Sequence, residues 1–262
     1  MNRLPKGIFV AALAVASHGD AQADHIVNAA YVEPVTRYGH YAVGRPHEYD
    51  GIRATTHDGR ALTLQLGDSQ VFEDVTPRIV TLSSGGPPVL LVIISDVARG
   101  SQLALVEIVG GALTIGARSE PVGRPQRWLN PVGVADLDGD GVAEIAAVVT
   151  PHIGGTLKVY QRQGEKLVEA AALAGFSNHI YGTTEQALST PLLVDNLTRL
   201  LVPDADRRQL LVVGLASRSL VVTQRCGLPE PVVGPVLPNA RGGASAVLQS
   251  GRRFAFPAEC TN

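Results

Sequence analysis

Residues 130–149 read NPVGVADLDGDGVAEIAAVV and contain the strongest local signal in the chain. Two apolar segments rich in valine and alanine flank a turn in which aspartates alternate with Leu137 and Gly139. Short apolar runs with β-branched residues, bounded by glycine and aspartate, are typical of strands. The stretch therefore predicts two strands joined by a tight acidic loop.

The acidic loop carries Asp136, Asp138 and Asp140 at every second position, followed by Glu144. Calcium takes six to eight oxygen ligands in flexible geometry, and carboxylates at this spacing converge on one point when glycines permit the turn. We therefore predict that these carboxylates, with the carbonyl oxygen of Val142, bind calcium and hold the two strands in register. The alternative is a solvated acidic turn that binds no ion tightly.

The acidic loop differs from an EF-hand, whose bidentate glutamate stands at the twelfth position between two helices. The twelfth position here is Ala147, inside a β-rich run. The pattern instead resembles the Asp-x-Asp-x-Asp-Gly-x-x-Asp motif of FG-GAP/VCBS repeats, which build integrin-alpha-like β-propellers. The resemblance covers residues 130–160, with Glu144 at the position of the last aspartate. It implies a calcium-binding turn between the first two strands of a propeller blade.

A turn followed by a short strand of alternating apolar residues occurs five times along the chain. The equivalent residues are Leu62, Leu103, Leu157, Leu210 and Phe254. They lie roughly 40 to 55 residues apart, which is the period of propeller blades. Each copy follows another apolar strand, so we expect five antiparallel units of three or four strands. The predicted fold is an all-β, five-bladed propeller, with a β-sandwich as the alternative.

Helical periodicity is weak throughout the sequence. Only residues 167–174 are ambiguous, because their alanines favour a helix. Residues 89–94 form a short, continuous apolar run, which is typical of a buried strand and too short to span a bilayer.

The N-terminal segment has the layout of a cleavable secretory signal. Arg3 and Lys6 precede an apolar run, and a small-residue site ends at Ala23. We assign residues 1–23 to a signal peptide and residues 24–262 to a single β-propeller domain, with no membrane anchor. Arginine greatly outnumbers lysine, which suggests a GC-rich bacterial genome, so the expected location is the periplasm or the cell exterior.

The charges of the chain are nearly balanced, with 22 basic and 24 acidic residues and no block of lysine or arginine. A nucleic-acid-binding protein usually carries a concentrated basic patch. We therefore expect no nucleic-acid partner.

Cys226 and Cys260 are the two cysteines of the chain. In an exported protein an even number of cysteines is more often paired than free, so we predict a disulfide between them. A catalytic thiol or a metal pair are the alternatives, and the absence of Cys-x-x-Cys spacing disfavours both.

Loops on the side of the propeller opposite the acidic loop should form a polar binding face. Its six candidate residues are His57, Asp58, Asp96, Arg99, His152 and Asp206. Connections between blades should add Arg127, Trp128, His179 and Tyr181. Loops of this composition can bind ligands, but they also occur on ordinary protein surfaces.

The sequence contains no Gly-x-Ser-x-Gly elbow, no His-Glu-x-x-His and no phosphate-binding glycine-rich loop. We therefore expect a non-catalytic, calcium-stabilised module that binds a protein or a glycan or has a structural role. The alternative is a propeller glycoside hydrolase or lyase, in which scattered acids such as Asp58, Asp96 and Asp206 would pair in space.

Overall fold

A computed structural model describes residues 24–194, 196–239 and 242–260. The predicted signal peptide lies outside these residues. The described residues form strands and turns with no helix, so the all-β prediction is confirmed. The strands are β1 (Ile26–Val35), β2 (Glu48–Thr56), β3 (Ala61–Gln65), β4 (Gln70–Phe72), β5 (Arg78–Val80), β6 (Val89–Asp96), β7 (Gly100–Val109), β8 (Ala112–Ser119), β9 (Leu129–Ala135), β10 (Glu144–Val149), β11 (Gly155–Gln163), β12 (Lys166–Phe176), β13 (Thr190–Val194), β14 (Leu197–Pro203), β15 (Gln209–Ala216), β16 (Ser219–Gly227), β17 (Val232–Pro238), β18 (Ala244–Leu248) and β19 (Arg253–Phe256).

Antiparallel pairing divides these strands into five successive groups. Group I contains β1–β3, group II β5–β8, group III β9–β12, group IV β13–β16 and group V β17–β19. The short β4 pairs with β2 and β6 and so links group I to group II. Strands β8 and β12 pair in parallel at two positions and link group II to group III.

These links produce sheets of twelve, four and three strands. Among the described residues no sheet closes on itself, and no strand of group I pairs with a strand of group V. The faces of successive groups pack on one another, as the faces of sheets do in a β-sandwich.

Four buried apolar clusters hold neighbouring groups together, one at each junction from group I to group V. Strand β6 shows how the sequence produces this arrangement. Leu90, Val92 and Ile94 face group I, whereas Leu91 and Ile93 face group III. Because neighbouring side chains of a strand point to opposite faces, a strand between two apolar layers must be apolar at every position. The continuous apolar run at residues 89–94 is therefore a buried strand, as predicted.

One middle strand of group III, β10, and one of group IV, β15, likewise place side chains in the apolar clusters on both of their faces. Strand β10 is buried at all six positions and divides its side chains between two clusters. Strand β15 contributes alternate leucines and valines to the clusters on its two sides. The five equivalent residues of the sequence pattern all lie in the third strand of their group, in β3, β7, β11, β15 and β19.

The ambiguous segment at residues 167–174 belongs to strand β12. Its pairing partner β11 supplies a full antiparallel ladder, and this tertiary pairing outweighs the helical preference of the alanines. Strand β12 also has two register shifts against β11, next to Gly155 and at Val159.

Cys226 at the end of β16 and Cys260 after β19 form a disulfide, as predicted. Cys226 is fully buried in the cluster between group IV and group V. The bond therefore ties the end of the described chain to the preceding group. Disulfides are typical of oxidising compartments. No helix in the described part of the chain is both long and apolar enough to cross a membrane.

Candidate functional site

The acidic loop connects β9 to β10, so it lies between the first two strands of group III. Asp136 accepts hydrogen bonds from the backbone N–H groups of Gly139 and Gly141, at 2.7 and 2.9 Å. Both glycines have positive φ, which permits the tight turn. Glu144 is buried and accepts a hydrogen bond of 2.8 Å from the N–H of Leu137.

The donor set of the acidic loop fits a hard divalent cation. Carboxylate oxygens of Asp136, Asp138 and Glu144 all lie within 4.8 Å of one another. Within the described residues no arginine, lysine or histidine forms an ion pair with them, and their only side-chain donor is the amide of Gln161. The carboxylate of Asp140 lies in the same loop but is not part of this group, and one of its oxygens accepts the N–H of Val142 at 2.7 Å. The chemistry of this set matches the oxygen ligands that calcium prefers.

The six residues of the predicted binding face lie on turns between the second and third strands of groups I to IV, as expected. No hydrogen bond, ion pair or ring contact in the described chain joins two of them from different turns. The six residues are therefore not joined by direct contacts, and the binding face stays a prediction.

His57 and Asp58 occupy the turn of group I. The ring of His57 stacks on His25 with 4.5 Å between centroids. A hydrogen bond from the Thr56 hydroxyl, with another from Arg60, lowers the pKa of Asp58 to about 2. Arg60 also pairs with Asp24, so one guanidinium bridges two carboxylates next to His57.

Asp96 and Arg99 occupy the turn of group II, where Asp96 accepts the backbone N–H groups of Ala98 and Arg99 at 3.0 and 3.2 Å. Burial raises the pKa of Asp96, but these bonds and one from Gln70 outweigh it and lower the pKa below its usual value. Asp206 is exposed in the turn of group IV. These residues cap turns or face solvent, and only His152 of the six enters a recess.

The histidine recess is a hollow of about 140 Å³ whose walls include His40, Trp128, His152 and Tyr181. His40 comes from the β1–β2 loop, Trp128 and His152 flank β9 and β10, and Tyr181 comes from the β12–β13 connection. Tyr181 is half exposed and donates a hydrogen bond of 2.6 Å to the carbonyl oxygen of His40. Loops of three different parts of the chain therefore converge here.

Hydrogen bonds orient the imidazoles of the recess. His179, buried behind it, contacts the carbonyl oxygen of Thr183 through Nε2 at 3.0 Å. Since a carbonyl only accepts, Nε2 of His179 carries the proton and its Nδ1 accepts from Nε2 of His152 at 2.8 Å. In this arrangement the Nδ1 lone pair of His152 is left for a ligand.

Both imidazoles are held neutral at ordinary pH. Burial lowers the pKa of His152 to about 3, and the nearby His179, His40 and Arg207 lower it further. Burial also lowers the pKa of His179 to about 4, against the opposing effect of the Thr183 carbonyl. The recess consequently presents one neutral imidazole acceptor, Nδ1 of His152, beside the ring of Tyr181.

Glu73 supports the recess from below. Its carboxylate is fully buried, contacts Nδ1 of His40 at 2.7 Å and accepts a hydrogen bond of 2.5 Å from the Ser95 hydroxyl. The backbone carbonyl oxygen of Glu73 accepts the indole N–H of Trp128 at 2.8 Å. Because the glutamate lies between the serine and the histidine, the histidine is not placed to take the proton of Ser95.

A second buried carboxylate, Glu48, lies on the other side of His40. One of its oxygens accepts the backbone N–H of His40 at 3.0 Å, and the other has no partner among the described residues. Glu48 and Glu73 are 2% and 1% exposed, so neither faces open solvent.

Sequence reasoning missed His40, Glu48 and Glu73. They lie in the β1–β2 loop, at its end and in the β4–β5 connection, and none belongs to a local motif. Trp128 and Tyr181 were expected on connections of the binding face, but their meeting with His40 depends on packing between groups. A scan of protein-family models and a search of curated proteins find no match for this chain.

Proposed function

We propose that the protein is an exported, calcium-stabilised β-propeller of the FG-GAP/VCBS type that binds a protein or glycan ligand without catalysing a reaction. The five strand groups would be its blades. The antiparallel pairing of consecutive strands within each group and the separate apolar cluster at each junction support this arrangement. The disulfide supports a periplasmic or secreted location, because such bonds persist in oxidising compartments.

Calcium would bind the acidic loop through Asp136, Asp138, Asp140, Glu144 and the carbonyl oxygen of Val142. The cation would neutralise crowded carboxylates and hold β9 and β10 in register, with no part in chemistry. The β9–β10 turn also contacts group II, since the N–H of Ala143 donates to the carbonyl oxygen of Leu82 at 2.7 Å. Calcium would thereby stabilise a junction between groups.

The calcium proposal predicts that EDTA lowers the melting temperature and that added calcium restores it. Asp138→Ala should abolish this response, because it removes a proposed ligand. Among the described residues the carboxylate of Asp138 otherwise accepts only the amide of Gln161 and the backbone N–H of Asp140. Asp206→Ala, at an exposed acid of another turn, is the matched control and should keep the full response. A full calcium response in Asp138→Ala would contradict the assignment.

The histidine recess carries the proposal of ligand binding. It joins an exposed tyrosine ring to the neutral imidazole of His152, and the hydroxyl of Ser95 is bonded to the buried Glu73 behind it. Hydroxyl groups of a sugar or of a peptide side chain are suitable donors for the His152 lone pair, and Tyr181 offers a surface for stacking. The same arrangement lacks an activated nucleophile among the described residues, which favours binding over catalysis.

Glycan arrays and peptide libraries can test the recess, with Trp128 fluorescence as a reporter because its ring packs on His152. Tyr181→Ala should weaken binding of any hit by about tenfold or more, as expected for an aromatic anchor. His57→Gln, on an exposed turn of group I, should bind like the parent protein. Equal binding by Tyr181→Ala would place the ligand elsewhere.

A glycoside hydrolase or lyase is the second candidate, favoured by the position of Glu48 and Glu73 on either side of His40. We predict no turnover on ester, peptide, phosphate or glycoside substrates, because both carboxylates are buried beneath the recess. If turnover is found and falls by about a hundredfold in Glu48→Gln or Glu73→Gln, the size expected for a lost acid or base, the enzyme assignment is correct.

A further inference from the structure

A second cavity, the seam cleft, lies between group II and group III and does not involve the histidine recess. It has a volume of about 370 Å³ and is lined by the end of β8 and by parts of β9 to β12. Strands β8 and β12 pair in parallel at only two positions, Arg118 opposite Lys166 and Ser119 opposite Leu167. The short pairing leaves apolar residues of the junction open to the cleft.

The floor of the seam cleft is apolar. Leu129, Val149, Tyr160 and Leu167 line it, and all four are at least nine-tenths buried in the protein. The same residues belong to the cluster that joins group II to group III. The cleft therefore offers a hydrophobic surface that water covers poorly.

Arg118 supplies an unbalanced positive charge at one end of this floor. Its side chain is partly buried, and its only side-chain hydrogen bond in the described chain goes to the amide oxygen of Gln70, at 3.4 Å. No carboxylate lies within ion-pair distance of Arg118 in the described residues. A partly desolvated guanidinium without an anion has a strong preference for a bidentate acceptor such as a carboxylate.

Two further features of the rim agree with an anionic head group. Tyr160 lines the cleft, and no hydrogen bond of its hydroxyl is found among the described residues. Lys166 lies on the rim without an ion pair, whereas Lys158 is paired with Glu169 at 2.7 Å. Of the two carboxylates in the lining, Glu169 is paired with Lys158, and only Glu120 has no ion pair among the described residues. The unpaired donors of the cleft therefore outnumber its unpaired carboxylates.

We propose that the seam cleft binds an apolar monocarboxylate, with the carboxylate on Arg118 and Tyr160 and the hydrocarbon over Leu129, Val149 and Leu167. A neutral hydrocarbon would leave the guanidinium without a counter-ion, and a small inorganic anion would leave the apolar floor exposed. An amphiphilic acid satisfies both parts of the site. The same contacts would bridge group II and group III, which β8 and β12 link by pairing at only two positions.

Titration of the full-length protein with octanoate, followed by calorimetry, tests this proposal. Hexanoate should bind about fifteenfold more weakly than octanoate, because each buried methylene strengthens binding about fourfold. Arg118→Gln should weaken octanoate binding by about tenfold or more, as expected for loss of a charged hydrogen bond. Tyr160→Phe should weaken it by a smaller factor.

Arg162→Gln is the matched control, since that guanidinium is already paired with Glu107 at 2.9 Å and does not line the cleft. It should bind octanoate like the parent protein. Methyl octanoate keeps the chain but not the charge, so it should bind the parent protein more weakly than octanoate does. It should bind Arg118→Gln as tightly as it binds the parent, which also shows that the variant is folded. The proposal would be overturned if octanoate does not bind up to about 10 mM, a concentration that detects even weak complexes. It would also be overturned if octanoate binds Arg118→Gln as tightly as the parent protein.

Discussion

Acidification should destabilise this protein through the His152–His179 pair. The usual pKa of histidine is 6.5, and burial lowers the values of these two residues to about 3 and about 4. Between these limits the unfolded chain binds protons that the folded chain does not. Stability is therefore complete above about pH 6.5 and falls as the pH decreases towards the lowered pKa values.

The size of the effect follows from the pKa shifts. A pH of about 5 is about 1.5 units below the pKa of each histidine in the unfolded chain, whereas both imidazoles remain neutral in the folded protein. Each unit corresponds to about 1.4 kcal/mol, so each histidine costs about 2 kcal/mol and the pair about 4 kcal/mol. Small domains are typically stable by about 5 to 15 kcal/mol, so this is a large fraction of the total.

Urea unfolding at about pH 7.5 and about pH 5, followed by Trp128 fluorescence, measures the loss. Trp128 is 1% exposed and contacts both rings, so its emission reports the recess directly. In His152→Gln the loss of stability between the two pH values should be about 2 kcal/mol smaller than in the parent. Comparison of the two proteins cancels the contribution of carboxylates that titrate at lower pH.

His57→Gln provides the control, because it removes an imidazole on an exposed turn. It should lose as much stability on acidification as the parent protein. An unchanged pH dependence in His152→Gln, or a parent protein that becomes more stable towards about pH 5, would refute the reasoning.

Two further predictions concern the frame. Reduction of the Cys226–Cys260 disulfide opens a loop with a sequence separation of 34 residues and should lower the free energy of unfolding by roughly 3 to 4 kcal/mol, measured by urea unfolding with and without reductant. An unchanged unfolding midpoint would show that the bond does not constrain the unfolded chain. Gly155→Ala should cost about 2 kcal/mol or more, because an added Cβ would overlap the carbonyl oxygen of Phe176, whereas Gly67→Ala, which has open space around it, should be nearly neutral in the same assay.

Much of the strand pattern was accessible from the sequence. Strands β6 and β10 consist mainly of continuous apolar runs, residues 89–94 and 145–149, and their ends are marked by glycine, proline or aspartate. These are local properties of a pleated chain, so a linear reading can find them. Strands β8, β16 and β17 were not located from the sequence, because they carry a mixed burial pattern.

The candidate sites differ in how far they depend on packing between strand groups. The carboxylates of the acidic loop lie within nine residues of one another, so their clustering could be predicted without a structure. The histidine recess combines His40, Trp128 and Tyr181, which are far apart along the chain. No local motif brings such residues together, because their contact depends on how one strand group packs on the next.

The sequence by itself thus determined the all-β class, the acidic loop and the pairing of the two cysteines, since each depends on alternation, spacing or number within the chain. Tertiary structure alone decided that Glu73 lies beneath His40 and that Arg118 lies at an apolar cleft without an anion. The physical reason is that burial and charge pairing depend on neighbours from other strands. Those neighbours are set by the packing of whole sheets, which no short stretch of sequence specifies.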